Sequence, residues 1–373
     1  MVGTYPPSDA EPGGLAADSH GVYEALGDGG LVAMSPTLDH TRWTYAVNSN
    51  KRIDQVFSEP YGLVVAGDEK PSSSGLNANP GGLLIAVLDP ATGKERWSHV
   101  RPSAHCGGGG CVVANAAGIV AYPQSNPSNF YLFSAAGTMR TTSASPPNLS
   151  NAISVTGNFC VFMLPNGGGL GRFDITTGRV LAPIPVPGLS LAGVNPGSPQ
   201  FPSIDTTDGI AAVYEPQFTS DHNDIVWSIE FLNVSNGAKV GSPSQMIDRK
   251  PMGLVNGVMF EVTYDSAGQG FDGVQAIDVT SGKVLWQHPG ADASLLAGEG
   301  NVAVFYTLDS KEGYTQAVGV DIRSGRQLWI SPRNSQSGSN GSSASTAGGG
   351  IVAADVGANG SGSQVISIAD GAK

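Results

Sequence analysis

The chain has 373 residues, including 52 Gly and 25 Pro, and a formal net charge of −12. That acidity argues against DNA or RNA as a partner, because phosphate backbones are held by a basic face, and against electrostatic attachment to anionic lipid. The Gly and Pro content breaks helices throughout, and the chain has no run of about 18 apolar residues that could span a membrane as a helix.

Read in chain order, two signals alternate. The first is a Gly followed by a short apolar strand: Gly21-Val22-Tyr23, Gly62–Val65, Gly118–Tyr122, Gly157–Phe162, Gly209–Tyr214, Gly257–Phe260, Gly300–Phe305 and Gly350–Ala353. The second is a hairpin phrase, clearest in Leu88-Asp89-Pro90-Ala91-Thr92-Gly93-Lys94-Glu95-Arg96-Trp97. It returns as Ile277–Trp286 and Val320–Trp329. Phe173–Arg179 and Leu232–Lys239 keep the turn and lose the Trp. Phe133–Gly137 keeps the Gly alone, Ser35–Trp43 keeps the Trp without the Gly, and Ile366–Lys373 lacks a return strand.

The turn glycines Gly93, Gly137, Gly178, Gly237, Gly282, Gly325 and Gly371 stand 44, 41, 59, 45, 43 and 46 residues apart. A period in the forties suits a four-stranded propeller blade or a helix pair. Short apolar runs bounded by Gly, Pro, Ser and Asn decide for strands. In the turn, Asp bonds its own backbone two residues on and Gly supplies positive φ. The closing tryptophans, Trp43, Trp97, Trp286 and Trp329, are expected to pack between neighbouring blades with the indole N–H on a backbone carbonyl.

The sequence therefore predicts an all-β fold, a β-propeller of four-stranded antiparallel blades. Eight blades are expected, with seven as the alternative if the copy around Gly137 is an insertion. Residues 1–373 form one domain, in which residues 1–12 act as a tether or as the strand that closes the ring. The long interval marks residues 183–224 as an inter-blade insertion, and residues 334–349, rich in Ser, Gly and Asn, read as a flexible loop.

Cys106 and Cys111 bracket four glycines that let the chain fold back, so a disulfide between them is expected, which implies an oxidising compartment. Cys160 lies in an apolar strand and reads as an inert core residue. His99, His105, Cys106 and Cys111 have zinc-compatible side chains, but their spacing matches no common zinc motif. The acidic loops Asp265–Gly273 and Asp221–Asp224 offer oxygen ligands for Ca²⁺ without the EF-hand pattern, and read as solvated turns. Trp227, outside the repeat register, reads as strand core. The sequons at Asn148, Asn233, Asn340 and Asn359 fit chance in a Ser/Asn-rich chain. Nucleophile elbows, zinc-protease motifs and phosphate loops are absent from the sequence. No catalytic, cofactor-binding or metal-binding residue is assigned.

The pattern Asp-x-x-Thr/Ser-Gly-Lys/Arg-x-x-Trp resembles the tryptophan-docking repeat of the pyrroloquinoline-quinone-like β-propellers. That group includes quinoprotein dehydrogenases, propeller lipoproteins of the outer-membrane barrel-assembly machinery and sensor ectodomains of bacterial kinases. The dehydrogenases of the group carry adjacent cysteines and long insertions around the quinone, and this chain has neither. The resemblance implies a non-catalytic, protein-binding, monomeric scaffold of the bacterial cell envelope, without quinone cofactor and with its targeting segment outside this sequence. The alternatives are a sensor ectodomain and, further off, a quinoprotein dehydrogenase. One fold hosts many functions.

Overall fold

The computed structural model describes residues 2–8, 14–26, 29–47, 49–71, 80–102, 104–105, 111–123, 130–142, 144, 153–164, 168–186, 203–218, 225–241, 244–247, 251–264, 271–289, 292–309, 314–330, 334–335, 344–347, 351–358 and 362–369. All regular structure among them is β. Strand β1 is Val2–Ser8. The first sheet holds β2 (Leu15–Asp18), β3 (Gly21–Ala25), β4 (Leu31–Met34) and β5 (Thr41–Tyr45). The second holds β6 (Lys51–Glu59), β7 (Gly62–Glu69), β8 (Gly82–Leu88) and β9 (Glu95–Arg101). The third holds β10 (Val112–Asn115), β11 (Gly118–Ala121), β12 (Tyr131–Phe133) and β13 (Met139–Thr141). The fourth holds β14 (Ile153–Thr156), β15 (Phe159–Met163), β16 (Gly169–Asp174) and β17 (Ile184–Pro185).

The fifth holds β18 (Ser203–Thr207), β19 (Ile210–Phe218), β20 (Ile225–Asn233) and β21 (Ser244–Ile247). The sixth holds β22 (Pro251–Val255), β23 (Val258–Tyr264), β24 (Phe271–Asp278) and β25 (Val284–Pro289). The seventh holds β26 (Asp292–Glu299), β27 (Val302–Asp309), β28 (Tyr314–Asp321) and β29 (Gln327–Ile330), with β30 (Asn334–Ser335) also pairing β28. The last runs β31 (Ala344–Ala347), β32 (Ile351–Ala358), β33 (Gly362–Ala369) and then β1.

Every sheet is an antiparallel meander of propeller-blade form. The first strands touch in succession, β2 on β6, β6 on β10, and so on to β26 on β31, and β31 returns to β2. The sheets thus stand around an axis with their first strands innermost. Closure comes from β1, which pairs antiparallel with β33 from Val2↔Ile368 to Ser8↔Ser363, with a bulge between Tyr5 and Ser8. A strand from one end of the chain completes the sheet built by the other and covers the edge of β33.

The core lies between sheets rather than at the centre. Apolar clusters fill the seams between the first and second, second and third, third and fourth, fourth and fifth, fifth and sixth, and sixth and seventh sheets. A middle strand is covered on both faces, which is why Gly82–Leu88 reads as an unbroken apolar run and is buried along its whole length. Outer strands alternate with solvent, as in β9.

Two sequence expectations change in detail. Residues 183–224 contain β17, β18 and β19, so much of that interval is propeller strand. Its extra length includes the long β19–β20 hairpin, nine residues on each side; residues 187–202 lie outside the described set. Residues 334–349 contain β30 and β31, the latter paired to β32 from Ala344↔Ala354 to Ala347↔Ile351. Backbone pairing, not side-chain apolarity, makes Ala344-Ser345-Thr346-Ala347 a strand. Gly137 turns between β12 and β13 within the third sheet.

Candidate functional site

Five of the hairpin turns are built the same way. The Gly93, Gly178, Gly237, Gly282 and Gly325 amides donate to the carbonyls of Asp89, Asp174, Asn233, Asp278 and Asp321 at 2.7–2.9 Å. The side-chain oxygen of the same acidic or amide residue caps the next turn residues: Asp89 Oδ1 accepts from the Thr92 amide at 3.0 Å and from its hydroxyl at 2.9 Å. The Arg96 guanidinium and the Thr92 hydroxyl hold the Asp89 carboxyl at about 2, well below its ordinary value. Asp174, Asp278 and Asp321 are held low as well, by the hydroxyl and amide donors of their own turns with Arg323 added at Asp278, against desolvation that opposes the shift. Asp39, in the turn that lacks the Gly, is held at about 2 by the Ser35, Thr37 and His40 donors.

The turn of one sheet receives the tryptophan of the preceding sheet. Trp43 Nε1 donates to the Pro90 carbonyl at 3.1 Å, Trp97 Nε1 to Ala135 at 3.0 Å and Trp286 Nε1 to Ile322 at 2.9 Å. The indole lies on the turn Gly: a methyl group added at Gly93, Gly137 or Gly325 would meet the ring at 2.6–2.8 Å. Positive φ at these glycines, 69°, 81° and 69°, is the second reason for Gly. Across the strand pair the Trp faces a residue no larger than Val: Ala33, Val87, Ala276 and, under Trp329, Gly319.

Two histidines extend the clasp. His99 Nε2 lies 2.8 Å from the Gly137 carbonyl and His288 Nε2 lies 2.7 Å from that of Gly325. Acting as donors there, they place His99 and His288 in the scaffold. Sequence reading missed this, although Trp-x-His recurs at Trp97-Ser98-His99 and Trp286-Gln287-His288.

Where the Trp is missing, other chemistry closes the seam. Ala182 occupies the Trp position of the fourth sheet, and Arg172 on β16 reaches across instead. Its Nη1 donates to the Val234 carbonyl and its Nε to Ala182 at 3.0 Å. Val234 follows Asn233 as Pro90 follows Asp89, so the guanidinium bonds the carbonyl equivalent to the one that the indole bonds elsewhere. Burial lowers the Arg172 pKa from its ordinary value. In the fifth sheet the Trp position is Gly241, which approaches the Val279 carbonyl directly, and Gly282 has no neighbour within 4 Å of an added methyl.

Higher in this fifth–sixth seam sits a polar group. Asp205 Oδ2 accepts from the Leu254 amide at 3.2 Å, and Gln275 Nε2 donates to Glu261 Oε2 at 2.8 Å. Tyr214, Glu261, Thr263 and Gln275 are all buried. Burial raises the Asp205 carboxyl against the opposing Leu254 and Tyr214 hydrogen bonds, and burial followed by the Asp205 and Glu261 charges raises the Tyr214 phenol. No sequence motif pointed to these residues.

The remaining candidates divide. Cys111 is buried and disulfide-bonded, and Cys160 is a buried free thiol whose pKa burial raises. Cys106 lies outside the described residues, as do Gly371, residues 265–270 of one acidic loop, and Asp221–Asp224. His105 pairs with Asp68 at 3.4 Å, apart from His99 at its turn. Among the described residues no group of three or more His, Cys, Asp or Glu is arranged to hold a metal ion. Trp227 is buried in the fifth–sixth cluster, as strand core. No helix among them is long and apolar enough to cross a membrane.

Among the described residues, large apolar side chains are exposed in few places. Val284 on β25 is 53% exposed, and Leu328 and Ile330 on β29 are 39% and 45% exposed. β25 and β29 are the outer strands of neighbouring sheets, with Leu328 and Ile330 on one face of β29, two residues apart. Val47 and Val180 are exposed elsewhere.

Four-stranded blades in a closed ring define a β-propeller, and the Trp clasps on Asp-x-x-Thr/Ser-Gly turns resemble the repeats of the pyrroloquinoline-quinone-like propellers. More particularly, residues 212–371 match the family described as outer membrane protein assembly factor BamB, and the chain resembles that protein. BamB from Moraxella catarrhalis superposes with a TM-score of 0.56 at 12% identity, covering 98% of this chain and 99% of that one. Saccharomyces cerevisiae Sqt1 gives 0.58 at 11% identity, covering 97% of each. The dihydro-heme d1 dehydrogenase NirN gives 0.53 at 14% identity, covering 90% of this chain and 68% of NirN. At such identities the likeness is one of fold. No curated protein matches the sequence significantly.

Proposed function

We propose that this protein is a non-catalytic, protein-binding scaffold of the bacterial cell envelope, working as a monomer outside the cytoplasm without quinone cofactor. The observation that carries this reading is the pair of outer strands with uncovered aliphatic side chains, Val284 on one sheet and Leu328 and Ile330 on the next. An open strand edge offers backbone hydrogen bonds to an added strand, and flanking apolar side chains add specificity. Trp43, Trp97, Trp286 and the two histidines, His99 and His288, that could have served chemistry are bound into sheet-to-sheet clasps. The BamB-like repeats support an envelope setting, as does the disulfide at Cys111, for which we propose Cys106 as partner.

A photo-crosslinking residue at Leu328, expressed with the protein in its envelope setting, should give a discrete protein adduct, whereas the same residue at Val47 should not. Equal labelling at both positions would sink the assignment. Dye reduction dependent on an alcohol or sugar, with quinone and Ca²⁺ added, would replace the scaffold with an oxidoreductase.

A further inference from the structure

The outer edge of the sixth sheet differs from that of the second in a way that ring building does not require. On β9, Glu95 and Arg96 at one end and Arg101 at the other put charge along the edge, a common defence against a stray strand. Glu95 and Arg96 are themselves ion-paired, to Lys51 and Asp89. β25 holds the same place in the sixth sheet, outermost and paired to β24 alone among the described residues. From Val284 to His288 it carries no Asp, Glu, Lys or Arg, and no Pro interrupts it before Pro289.

The turn of the seventh sheet lies alongside this strand. Trp286 Nε1 bonds the Ile322 carbonyl, and His288 Nε2 lies 2.7 Å from that of Gly325. Arg326, the next residue, therefore stands near the far end of β25, as Lys283 stands at its start. Both cations are exposed, and neither forms an ion pair among the described residues. The carboxylates of the two turns are engaged elsewhere: Asp278 accepts from Ser281 and Arg323, and Asp321 from Ser324. Ser324, ahead of the Arg326 charge, holds Asp321 low. Residues 279–289 and 322–330 contain no Asp or Glu, in a chain of net charge −12.

Each property selects one part of an occupant. The free edge takes an extended main chain. Val284, 53% exposed, and Leu328 on the neighbouring sheet take apolar side chains, and the two cations take carboxylates. A lipid surface would answer the charges and the aliphatic groups, but it has no main chain for the edge. The strand from Lys283 to His288 runs roughly 17 Å, which sets the partner's carboxylates about five residues apart.

We propose that β25 receives an extended, acidic segment of a partner protein, added as a further strand of the sixth sheet, with carboxylates about five residues apart and aliphatic side chains between them. The assignment rests on the protein-binding reading and narrows it to one edge and one chemistry.

Fluorescence anisotropy on the whole chain tests it, with a labelled peptide of alternating Val and Thr carrying Glu near both ends, and a twin with Lys for Glu. The expected result is saturable binding of the Glu peptide, about tenfold tighter than the twin and weakening as salt is raised. Lys283→Glu with Arg326→Glu, both at exposed positions, should invert the preference. N-methylation of the Glu peptide at alternate residues should abolish binding in one of its two phases, because that peptide cannot donate to the edge. Equal binding of the twins, no saturation by about 1 mM, an unchanged preference in the double variant, or full binding of both methylated peptides would overturn the assignment. So would sedimentation with phosphatidylglycerol vesicles that the double variant abolishes while the Glu peptide stays unbound, which would give the cations to a lipid surface. The Leu328 adduct separates the two failures. Selectivity absent with the adduct present removes this partner chemistry alone; absence of both removes the scaffold as well.

Discussion

The seam between the second and third sheets and that between the fourth and fifth perform one task with different chemistry. In the former, an indole lies on Gly137, its N–H on Ala135 and His99 on the Gly137 carbonyl. In the latter, Arg172 bonds the equivalent carbonyl from the adjacent strand, and Ile184 lies 3.2 Å from a methyl placed on Gly237. What is held constant is the acceptor, a turn carbonyl that would otherwise be left unsatisfied beneath the neighbouring sheet. The donor can be an aromatic N–H or a guanidinium, and it can come from either of two strands. The repeat thus specifies a hydrogen-bond partner more strictly than a residue.

The comparison can be broken most severely at Trp97. Trp97→Ala removes ring packing and the indole bond, and should lower unfolding stability by about 2–4 kcal/mol, read by denaturant titration. Trp97→Phe, which keeps an aromatic ring, should lose only about 1 kcal/mol, and a loss equal to that of alanine would make the hydrogen bond dominant. Arg172→Leu should cost about 2 kcal/mol, since it strands the Val234 and Ala182 carbonyls. An unchanged midpoint would show that the guanidinium does not replace the indole. Cys111 is itself packed in the second–third cluster. Cys106→Ser should cost about 2 kcal/mol under oxidising conditions and nothing in reductant.

A smaller effect sharpens the role of the turns. The Asp89 carboxyl is depressed in the folded chain, so its contribution is full above 3.8 and fades as pH falls toward about 2. Asp89→Asn should flatten that part of the acid-unfolding curve, by a modest amount because the carboxylate is solvent-facing. Least of all, Val284→Ser with Ile330→Ser should leave stability within about 0.5 kcal/mol while abolishing the Leu328 crosslink.

The sequence made the hairpins legible because they carry two strong local signals, a Gly at positive φ and a Trp at fixed spacing from it. The innermost strands were much less visible. Ala344-Ser345-Thr346-Ala347 looks like linker, and pairing with β32 alone makes it a strand. The interval 183–224 reads as an insertion because Gly178 and Gly237 stand 59 residues apart, yet Ser203–Thr207 and Ile210–Phe218 within it belong to paired strands. Arg172 was invisible for a different reason. It compensates for Ala182 from another strand of the same sheet, a relation that exists only once β16 has folded against the return segment. Glu261 gave a faint hint, an acid inside Met259-Phe260-Glu261-Val262, but its neighbours Tyr214 and Asp205 come from the adjacent sheet.

The pairing of β1 with β33 has a mechanical consequence. Val2 lies opposite Ile368, so tension applied through residues 2 and 369 enters the strand pair at the same end. The load would peel the ladder rung by rung, like a zipper, instead of shearing all its rungs together. Stretched this way the molecule should yield first at its closing pair, at low force, while a pull across any single internal hairpin turn would leave that pair untouched.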